Sequence, residues 1–481
     1  MSPVILFSFV IAYFLLLLTV AYYTSRNSNN ETFFIGNKSS NWMLVSFGMI
    51  GTSLSGVTFV SVPGTVGASG FAYFQVVVGY LIGYFVIAFV LLPMYYRLNL
   101  TSIYNYLDQR FGTISHKTGS LFFILSRILG ATARLYLVIN VMQLFILNEM
   151  GIPFWVTTLV ILVMILLYTF KGGVKTIVWT DTLQTTFMLL GLVVCVIYIM
   201  NHLNLSFSET MSTLTAKGFT RIVNSDLNSS GFFIKQVLGG AFITIAMTGL
   251  DQEMMQKNIS VNKLKDSQKN MITFSFIIVL VNFLFLLLGG LLYLYATEKG
   301  IMIKGDDLFP TIAIHYLPSF VSIIFIIGLI SALFPSADGA ITALTSSFCI
   351  DILSLKKRTN LVELKKMQIR KAVHISMAVI FMICVMVFKW IDNKSIINVI
   401  LKIAAYTYGP LLGLFSFGIL TNKKVREKWV PLICLVSPVI CFFVDKFQPE
   451  LFGKFQIGIE LLLLNGSLTF LGLLMISKKR D

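Results

Sequence analysis

Long apolar stretches separated by short polar segments form the main pattern of this chain. Each stretch is long enough to cross roughly 30 Å of hydrocarbon as a helix rising about 1.5 Å per residue. About thirteen stretches qualify, at residues 3–23, 41–62, 70–96, 119–147, 153–170, 181–201, 232–255, 270–296, 317–353, 370–390, 395–420, 429–445 and 455–477. The pattern predicts an all-α membrane protein with a single transmembrane domain over residues 1–481.

Composition supports this class and narrows the partners. Apolar residues make up 56% of the chain, charged residues 12%, and the mean hydropathy is +0.84. A soluble protein this apolar could not cover its own surface, so a lipid bilayer is the expected partner. The net charge of +16 does not indicate nucleic-acid binding, because Lys and Arg fall in short segments between apolar stretches without a basic, aromatic-rich stripe. No obligatory protein partner is inferred.

The distribution of basic residues predicts an orientation. With the N-terminus outside, the inner segments and their flanks hold about 25 of the 37 basic residues, and the outer segments hold about nine. This bias follows the positive-inside rule. We expect a multi-pass protein of the cell membrane (a plasma membrane or a bacterial inner membrane) with its C-terminus in the cytoplasm.

Two predicted spans contain breaks in their apolar pattern. The second holds Gly48 and the run Gly51–Gly56, and the seventh has a comparable irregularity at Thr244–Leu250. Small residues at mid-membrane indicate either a broken helix whose free carbonyls can bind a hard cation or a close contact between helices. Two interrupted spans five apart are typical of an inverted repeat of five helices. The repeats would cover 41–201 and 232–420, with one extra helix at 3–23 and two at 429–477.

Ionisable residues inside apolar stretches are candidates for function. Asp338 follows Pro335 and Ser336 in the ninth span. It is either a functional group or a carboxylate that is protonated or paired with a basic residue for packing. Asp181 begins the sixth span. It is either a functional group or an acidic residue that the helix dipole favours at the N-terminus of a helix.

Arg134 lies roughly 22 Å along the fourth span. Its planar guanidinium suits a carboxylate of the solute, and a permanent salt bridge to Asp338 or Asp181 is the alternative. Arg127 could extend to the inner surface.

Several separate stretches resemble the sodium:solute symporter family, which includes sodium-coupled transporters of sugars, proline, iodide and sialic acid. They are Phe33–Ser39, Tyr104–Gly112, Gly172–Lys175 leading to Trp179–Asp181, Asp251–Lys257 and Tyr406–Pro410. Each is weak alone, but their order and spacing together are specific. The resemblance implies a leucine-transporter-type fold of five plus five inverted helices. It also implies a symporter that couples solute uptake to co-transported Na⁺ by alternating access.

The same resemblance implies two sodium sites. The first would use the backbone carbonyls of Gly51, Leu54 and Ala332 with hydroxyls at positions 335 and 336. Ser336 supplies one hydroxyl, whereas Pro335 has none. The second would use Asp181 and, where some relatives have a serine, Asp338.

For the solute, the sialic-acid transporters of the family imply a set of polar and aromatic positions. They correspond here to Ser53, Ser55, Thr58, Phe71, Gln75 and Arg134. We expect a small organic solute such as the carboxylate sialic acid, with a neutral sugar or polyol as the alternative substrate and a passive channel as the alternative class. An enzyme is not expected, because no histidine, nucleophile or phosphate-loop motif has catalytic spacing.

Overall fold

The computed structural model describes residues 3–26, 33–34, 39–358, 360–391 and 396–478, and the motif positions 35–38 and the span residue 395 lie outside them. Sixteen helices carry labels here. They are α1 (Pro3–Thr24), α2 (Trp42–Ser69), α3 (Tyr73–Arg97), α4 (Thr113–Leu147), α5 (Phe154–Phe170), α6 (Gly173–His202), α7 (Phe207–Ala216), α8 (Phe233–Gly249), α9 (Gln252–Ile259), α10 (Leu264–Lys299), α11 (Ser319–Ile352), α12 (Glu363–Ile391), α13 (Ile396–Thr407), α14 (Gly409–Leu420), α15 (Glu427–Lys446) and α16 (Leu461–Met475).

Short elements complete the described chain. Helical turns cover Asn105–Arg110, Leu308–Thr311 and Gln448–Phe452, and β1 (Lys424–Val425) pairs antiparallel with β2 (Ser477–Lys478). The segment between α6 and α8 contains the short helix α7. Its start is fixed by a capping box of Ser206 with Glu209.

The structure confirms a multi-helical membrane protein. Among the described residues, nine helices are long and apolar enough to cross a bilayer, or up to eleven if each of two bent pairs is one span. The bent pairs are α8 with α9, at 64°, and α13 with α14, at 44°. Two further apolar helices, α5 and α16, are shorter.

Several predicted boundaries need correction. The stretch 455–477 is helical only from Leu461, because residues 455–460 form the turn that leads into α16. The stretch 395–420 is two helices, separated where Tyr408 precedes Gly409 and Pro410. Proline is favoured in the first turn of a helix and disfavoured further in, so this pair marks a start. The fifth and sixth stretches run together from Phe154 to His202, with a break at Gly173, whose φ is +53°.

The predicted breaks occur where the small residues cluster. In α2 the backbone leaves the helical region at Ser55, with φ 43° and ψ 170°. The seventh stretch widens into a π-helical turn at Ile245–Gly249 and then stops. Asp251 caps α9 by accepting from the Glu253 and Met254 amides. Both interruptions are buried inside the helix bundle, where protein groups rather than lipid surround the open backbone.

Close contact between α3 and α8 depends on glycine. A Cβ at Gly240 would lie 2.3 Å from the Val76 carbonyl oxygen, and a Cβ at Gly79 would lie 2.2 Å from the Val237 carbonyl oxygen. Helices in a bilayer associate through such close packing of small residues, so larger side chains here must push the two helices apart.

We therefore expect Gly240→Ala to lower the thermal denaturation temperature of the detergent-purified protein. Overpacking a tight contact costs about 1–3 kcal/mol. The matched control is Gly130→Ala in the interior of α4, where an added Cβ meets nothing within 4 Å. Equal melting temperatures for the two variants would contradict the packing argument.

Candidate functional site: a buried ion-pair cluster beside a polar cavity

The break in α2 faces α11 across a short distance. A Cβ at Gly51 would lie 3.5 Å from Pro335 Cγ, and a Cβ at Gly56 would lie 4.0 Å from the Ala332 carbonyl oxygen. The structure thus brings together the two helices that carry the first predicted sodium site. The positive φ of Ser55 interrupts the regular helical hydrogen bonds, so the carbonyls of the preceding turn are available to other partners.

The atoms at this contact that could bind a cation are oxygen atoms. Ser336 is buried and donates its hydroxyl hydrogen to the Leu333 carbonyl at 2.8 Å, which leaves its oxygen lone pairs for another partner. Pro335 has no N–H, so the Ser331 carbonyl one turn earlier loses its regular helical partner. Hard cations prefer oxygen ligands, so this contact fits a sodium ion even though Pro335 lacks a side-chain oxygen.

Asp181 lies in a buried ion pair. Lys257 Nζ donates to Asp181 Oδ2 at 2.6 Å and to Thr52 Oγ1 at 2.7 Å, and Thr52 Oγ1 in turn donates to Asp181 Oδ2 at 3.1 Å. All three side chains are almost fully buried. Asp181 Oδ1 has no hydrogen-bond partner within the described chain. One oxygen of this carboxylate is therefore bound by the protein's own cation, and the other is open to a further ligand.

Asp338 is also buried and accepts two hydrogen bonds. Tyr168 Oη donates to Asp338 Oδ2 at 2.6 Å, and the Gly339 amide donates to Oδ1 at 2.5 Å. On α11 and α6, Thr342 Oγ1 and the Gln184 side-chain amide are buried without a partner among the described residues. Buried polar atoms normally have partners, so these orphans indicate a place for a polar or ionic ligand.

A second ion pair lies next to the first. The Arg127 guanidinium forms a hydrogen-bonded ion pair with Glu253 and lies 3.8 Å from Asp251 Oδ2, which accepts from Tyr408 Oη at 2.8 Å. Glu253 Oε1 lies 3.5 Å from Lys257 Nζ. Arg127 thus does not extend to the inner surface, which was one of its predicted roles.

The combined cluster has more carboxyl groups than cationic side chains. It contains two cationic side chains, Arg127 and Lys257, and four carboxyl groups, at Asp181, Asp251, Glu253 and Asp338. Buried charge of one sign is costly unless it is compensated. This surplus fits the binding of one or more monovalent cations.

A polar cavity of about 100 Å³ lies beside the cluster. It is lined by Arg127, Arg134, Asn282 and many hydroxyls. The hydroxyls belong to Thr52, Ser53, Ser55, Thr58, Tyr73, Tyr80, Tyr84, Thr244 and Thr248. Tyr73, Tyr80 and Tyr84 are spaced seven and four residues apart, which places them on one face of α3. Tyr73 Oη and Tyr80 Oη lie 3.1 Å apart, and Tyr84 Oη lies 3.4 Å from Ser53 Oγ.

Arg134 is half-buried in the wall of this cavity. Its guanidinium forms no hydrogen bond or ion pair with another described residue. The alternative of a permanent salt bridge to Asp181 or Asp338 is wrong, because Asp181 pairs with Lys257 and Asp338 accepts from Tyr168. Since Arg127 is neutralised by Glu253, Arg134 contributes the uncompensated positive charge of the cavity wall.

Two predicted solute positions lie outside this cavity. Phe71 is buried against Phe283, with ring centroids 6.2 Å apart. Gln75 lines a wider vestibule of about 740 Å³, where its amide donates to the Ala72 and Gly231 carbonyls. Tyr73 and Leu401 line both the vestibule and the cavity, so the two spaces meet at these side chains.

Sequence reasoning did not assign roles to Lys257, Glu253 or the three tyrosines of α3. Lys257 and Glu253 were recognised only as part of a family-like motif. Their four-residue spacing, which places both charges on one helical face, was a usable signal. The tyrosine spacing on α3 was another.

Comparison with known proteins places this arrangement among secondary transporters. A solved structure of a Na⁺-coupled sialic acid symporter superimposes with a TM-score of 0.84 and 19% identity, over 99% of both chains. A nucleobase–cation symport transporter superimposes with a TM-score of 0.52, 12% identity and coverage of 94% and 95%. These likenesses establish the fold, which is that of a membrane symporter.

The family follows from the sequence. Residues 33–428 match the model of the sodium:solute symporter family, and the chain belongs to this family. It is 22% identical to the sodium/sialic acid symporter SiaT of Proteus mirabilis, over 93% of this chain and 90% of that one. It is 28% identical to the human sodium/iodide cotransporter, over 48% of this chain and 35% of that one. The protein is a sodium-coupled symporter of a small solute and not an enzyme, as predicted.

The paired charges predict the outcome of a double-substitution experiment. Arg127→Met should lower the free energy of unfolding by about 3–5 kcal/mol, because it leaves the buried Glu253 carboxylate without its cation. Adding Glu253→Leu should recover part of that loss, since it removes the carboxylate that Arg127 contacts most closely; Asp251, 3.8 Å from Arg127, still lacks this cation. Thermal denaturation in detergent measures both effects. A double variant no more stable than Arg127→Met alone would contradict the pairing.

Proposed function

We propose that this symporter imports a polyhydroxylated organic acid, of which sialic acid is an example, with its carboxylate bound by Arg134. The observation that carries the proposal is the Arg134 guanidinium, which has no partner among the described residues, in a cavity wall that also carries nine hydroxyls. A guanidinium binds a carboxylate through two parallel hydrogen bonds, and hydroxyls exchange hydrogen bonds with those of a sugar. Two sodium/sialic acid symporters, from Proteus mirabilis and Aliivibrio fischeri, are among the similar proteins.

A neutral sugar is the second candidate. The hydroxyl-rich lining, with Ser53, Ser55 and Thr58 from the broken helix, would serve a neutral polyol equally well. The charge of Arg134 favours the acid, because a half-buried guanidinium without a partner among the described residues is costly and an anionic solute compensates it. The passive channel is no longer needed as an alternative, because the family consists of coupled carriers.

We further propose two sodium sites. The first uses the Gly51, Leu54 and Ala332 carbonyls with Ser336 Oγ, supported by the contact of the broken α2 with α11. The second uses Asp181 Oδ1 and Asp338, supported by the unpartnered oxygen of Asp181 and by the surplus of carboxylates in the cluster. In the second site Asp338 supplies formal charge that a serine would not.

The proposed architecture in the membrane has thirteen spans. It counts the nine long helices, each bent pair as one span, and the shorter α5 and α16. The two interrupted spans then fall five apart, which supports inverted repeats over 41–201 and 232–420, flanked by 3–23 and 429–477. The distribution of basic residues supports an N-terminus outside and a C-terminus in the cytoplasm of a cell-membrane protein.

Sodium dependence of uptake into proteoliposomes tests the ion sites. Ser336→Ala should raise the sodium concentration for half-maximal uptake, because one oxygen ligand is lost. Asp181→Asn and Asp338→Asn should weaken the coupling more, since each removes charge as well. Ser331→Ala is the matched control, because its hydroxyl donates to Tyr13 Oη at 2.8 Å and is not assigned to sodium. Wild-type sodium dependence in both aspartate variants would refute the second site.

Competition against uptake tests the solute class. In Arg134→Lys, acidic competitors should lose about 1.5–3 kcal/mol of binding free energy, roughly a 10- to 150-fold change, because lysine cannot make the paired hydrogen bonds. Arg221→Lys, at an exposed arginine outside the cavity, is the control. If neutral sugars compete in the wild type and acids do not, Arg134 is structural and the sugar is the solute.

A further inference from the structure

Lys257 joins three separate parts of the bundle at one atom. Its Nζ has Thr52 on α2, Asp181 on α6 and Glu253 on its own helix as acceptors, at 2.7, 2.6 and 3.5 Å. An ammonium group has three N–H donors, so these contacts use all of them. The side chain is 3% exposed, which leaves no access to water.

The neighbouring charges divide into two separate pairs. Glu253 is compensated mainly by the Arg127 guanidinium, whereas Asp181 has Lys257 as its only cation within ion-pair distance in the described chain. The second carboxylate of the proposed ion site, Asp338, accepts hydrogen bonds from the Tyr168 hydroxyl and the Gly339 amide. Lys257 is therefore the cation that compensates the charge of Asp181 whenever no transported ion is bound.

A symporter passes through a state that carries neither solute nor sodium. In that state a buried carboxylate without a cation would be costly, and the cost would oppose its return through the membrane. Asp181 offers different oxygens to its two cations. Oδ2 receives Lys257, while Oδ1 is unpartnered among the described residues.

We propose that Lys257 is a resident counter-ion for Asp181 that allows the empty carrier to reorient. Sodium binds and leaves at Oδ1, and Lys257 stays on Oδ2 and keeps the carboxylate paired after the ion has gone. Lys257 is a positioning residue in this scheme, because it acts on the ion through Asp181. The proposal rests on the sodium site at Asp181 proposed above.

Two transport modes separate this role from a structural one. Net uptake requires the empty carrier to return, whereas exchange of labelled for unlabelled solute, with sodium and solute on both sides, does not. The protein is reconstituted into proteoliposomes with radiolabelled sialic acid, or with radiolabelled glucose if sugars prove to be the solutes. The measured quantity is the ratio of the net-uptake rate to the exchange rate.

We expect Lys257→Met to lower this ratio about tenfold or more while exchange continues. In this variant the buried Asp181 carboxylate lacks a cation only when no sodium is bound. Lys257→Arg should restore the ratio, since it keeps the positive charge. The matched control is Lys366→Met, which removes a lysine from a peripheral ion pair with Glu363. This control should leave the ratio unchanged.

The double variant Lys257→Met with Asp181→Asn covers the case in which the single variant does not fold. It contains no isolated charge at this position, so its ratio should return towards that of the wild type. A ratio that stays low in the double variant would overturn the proposal. Equal losses of net uptake and exchange in Lys257→Met would do so as well, because they indicate a structural or solute-binding role.

Failure of the sodium site gives a different result. If Asp181→Asn keeps wild-type sodium dependence, Asp181 does not bind the transported ion, whatever the ratio in the Lys257 variants. If Asp181→Asn changes sodium dependence but Lys257→Met leaves the ratio intact, the ion site stands and the counter-ion role is wrong.

Discussion

The absence of water in a bilayer core is the constraint on which this structure depends. Each backbone amide and carbonyl must find a partner inside the protein, so a helix can be opened only where other helices enclose it. The break at Ser55 in α2 satisfies this condition, because α6 and α11 pack against it and Thr185 accepts the Gly51 amide. The backbone carbonyls that the break in α2 frees are therefore held in place by the surrounding helices before any ligand binds.

The same constraint organises the charges. Buried carboxylates and cations occur together, and they connect α2, α4, α6, the start of α9 and Tyr408 in one cluster. Thr52 and Arg127 belong both to this cluster and to the wall of the solute cavity. With sodium bound at the proposed sites, these two side chains are the direct contacts between the ion-binding cluster and the cavity wall.

Sequence alone indicated the fold class and the breaks, because apolar length and small-residue clusters are local signals. It placed Asp181 and Asp338 in one site only by resemblance, and it could not identify the cation that pairs with Asp181. Lys257 lies 76 positions from Asp181 in the chain, and only the bend between α8 and α9 brings the two together. The placement of Phe71, in the turn before α3, and of Gln75, in its first turn, likewise depends on side-chain directions that composition does not fix.

The meeting of vestibule and cavity at Tyr73 and Leu401 has a kinetic consequence. Leu401 lies on α13, one arm of a bent pair, and its side chain lines both spaces. A side chain that lies between two connected spaces adds to the barrier for solute entry and for solute exit. Bulk at this position would therefore slow both the filling and the emptying of the cavity.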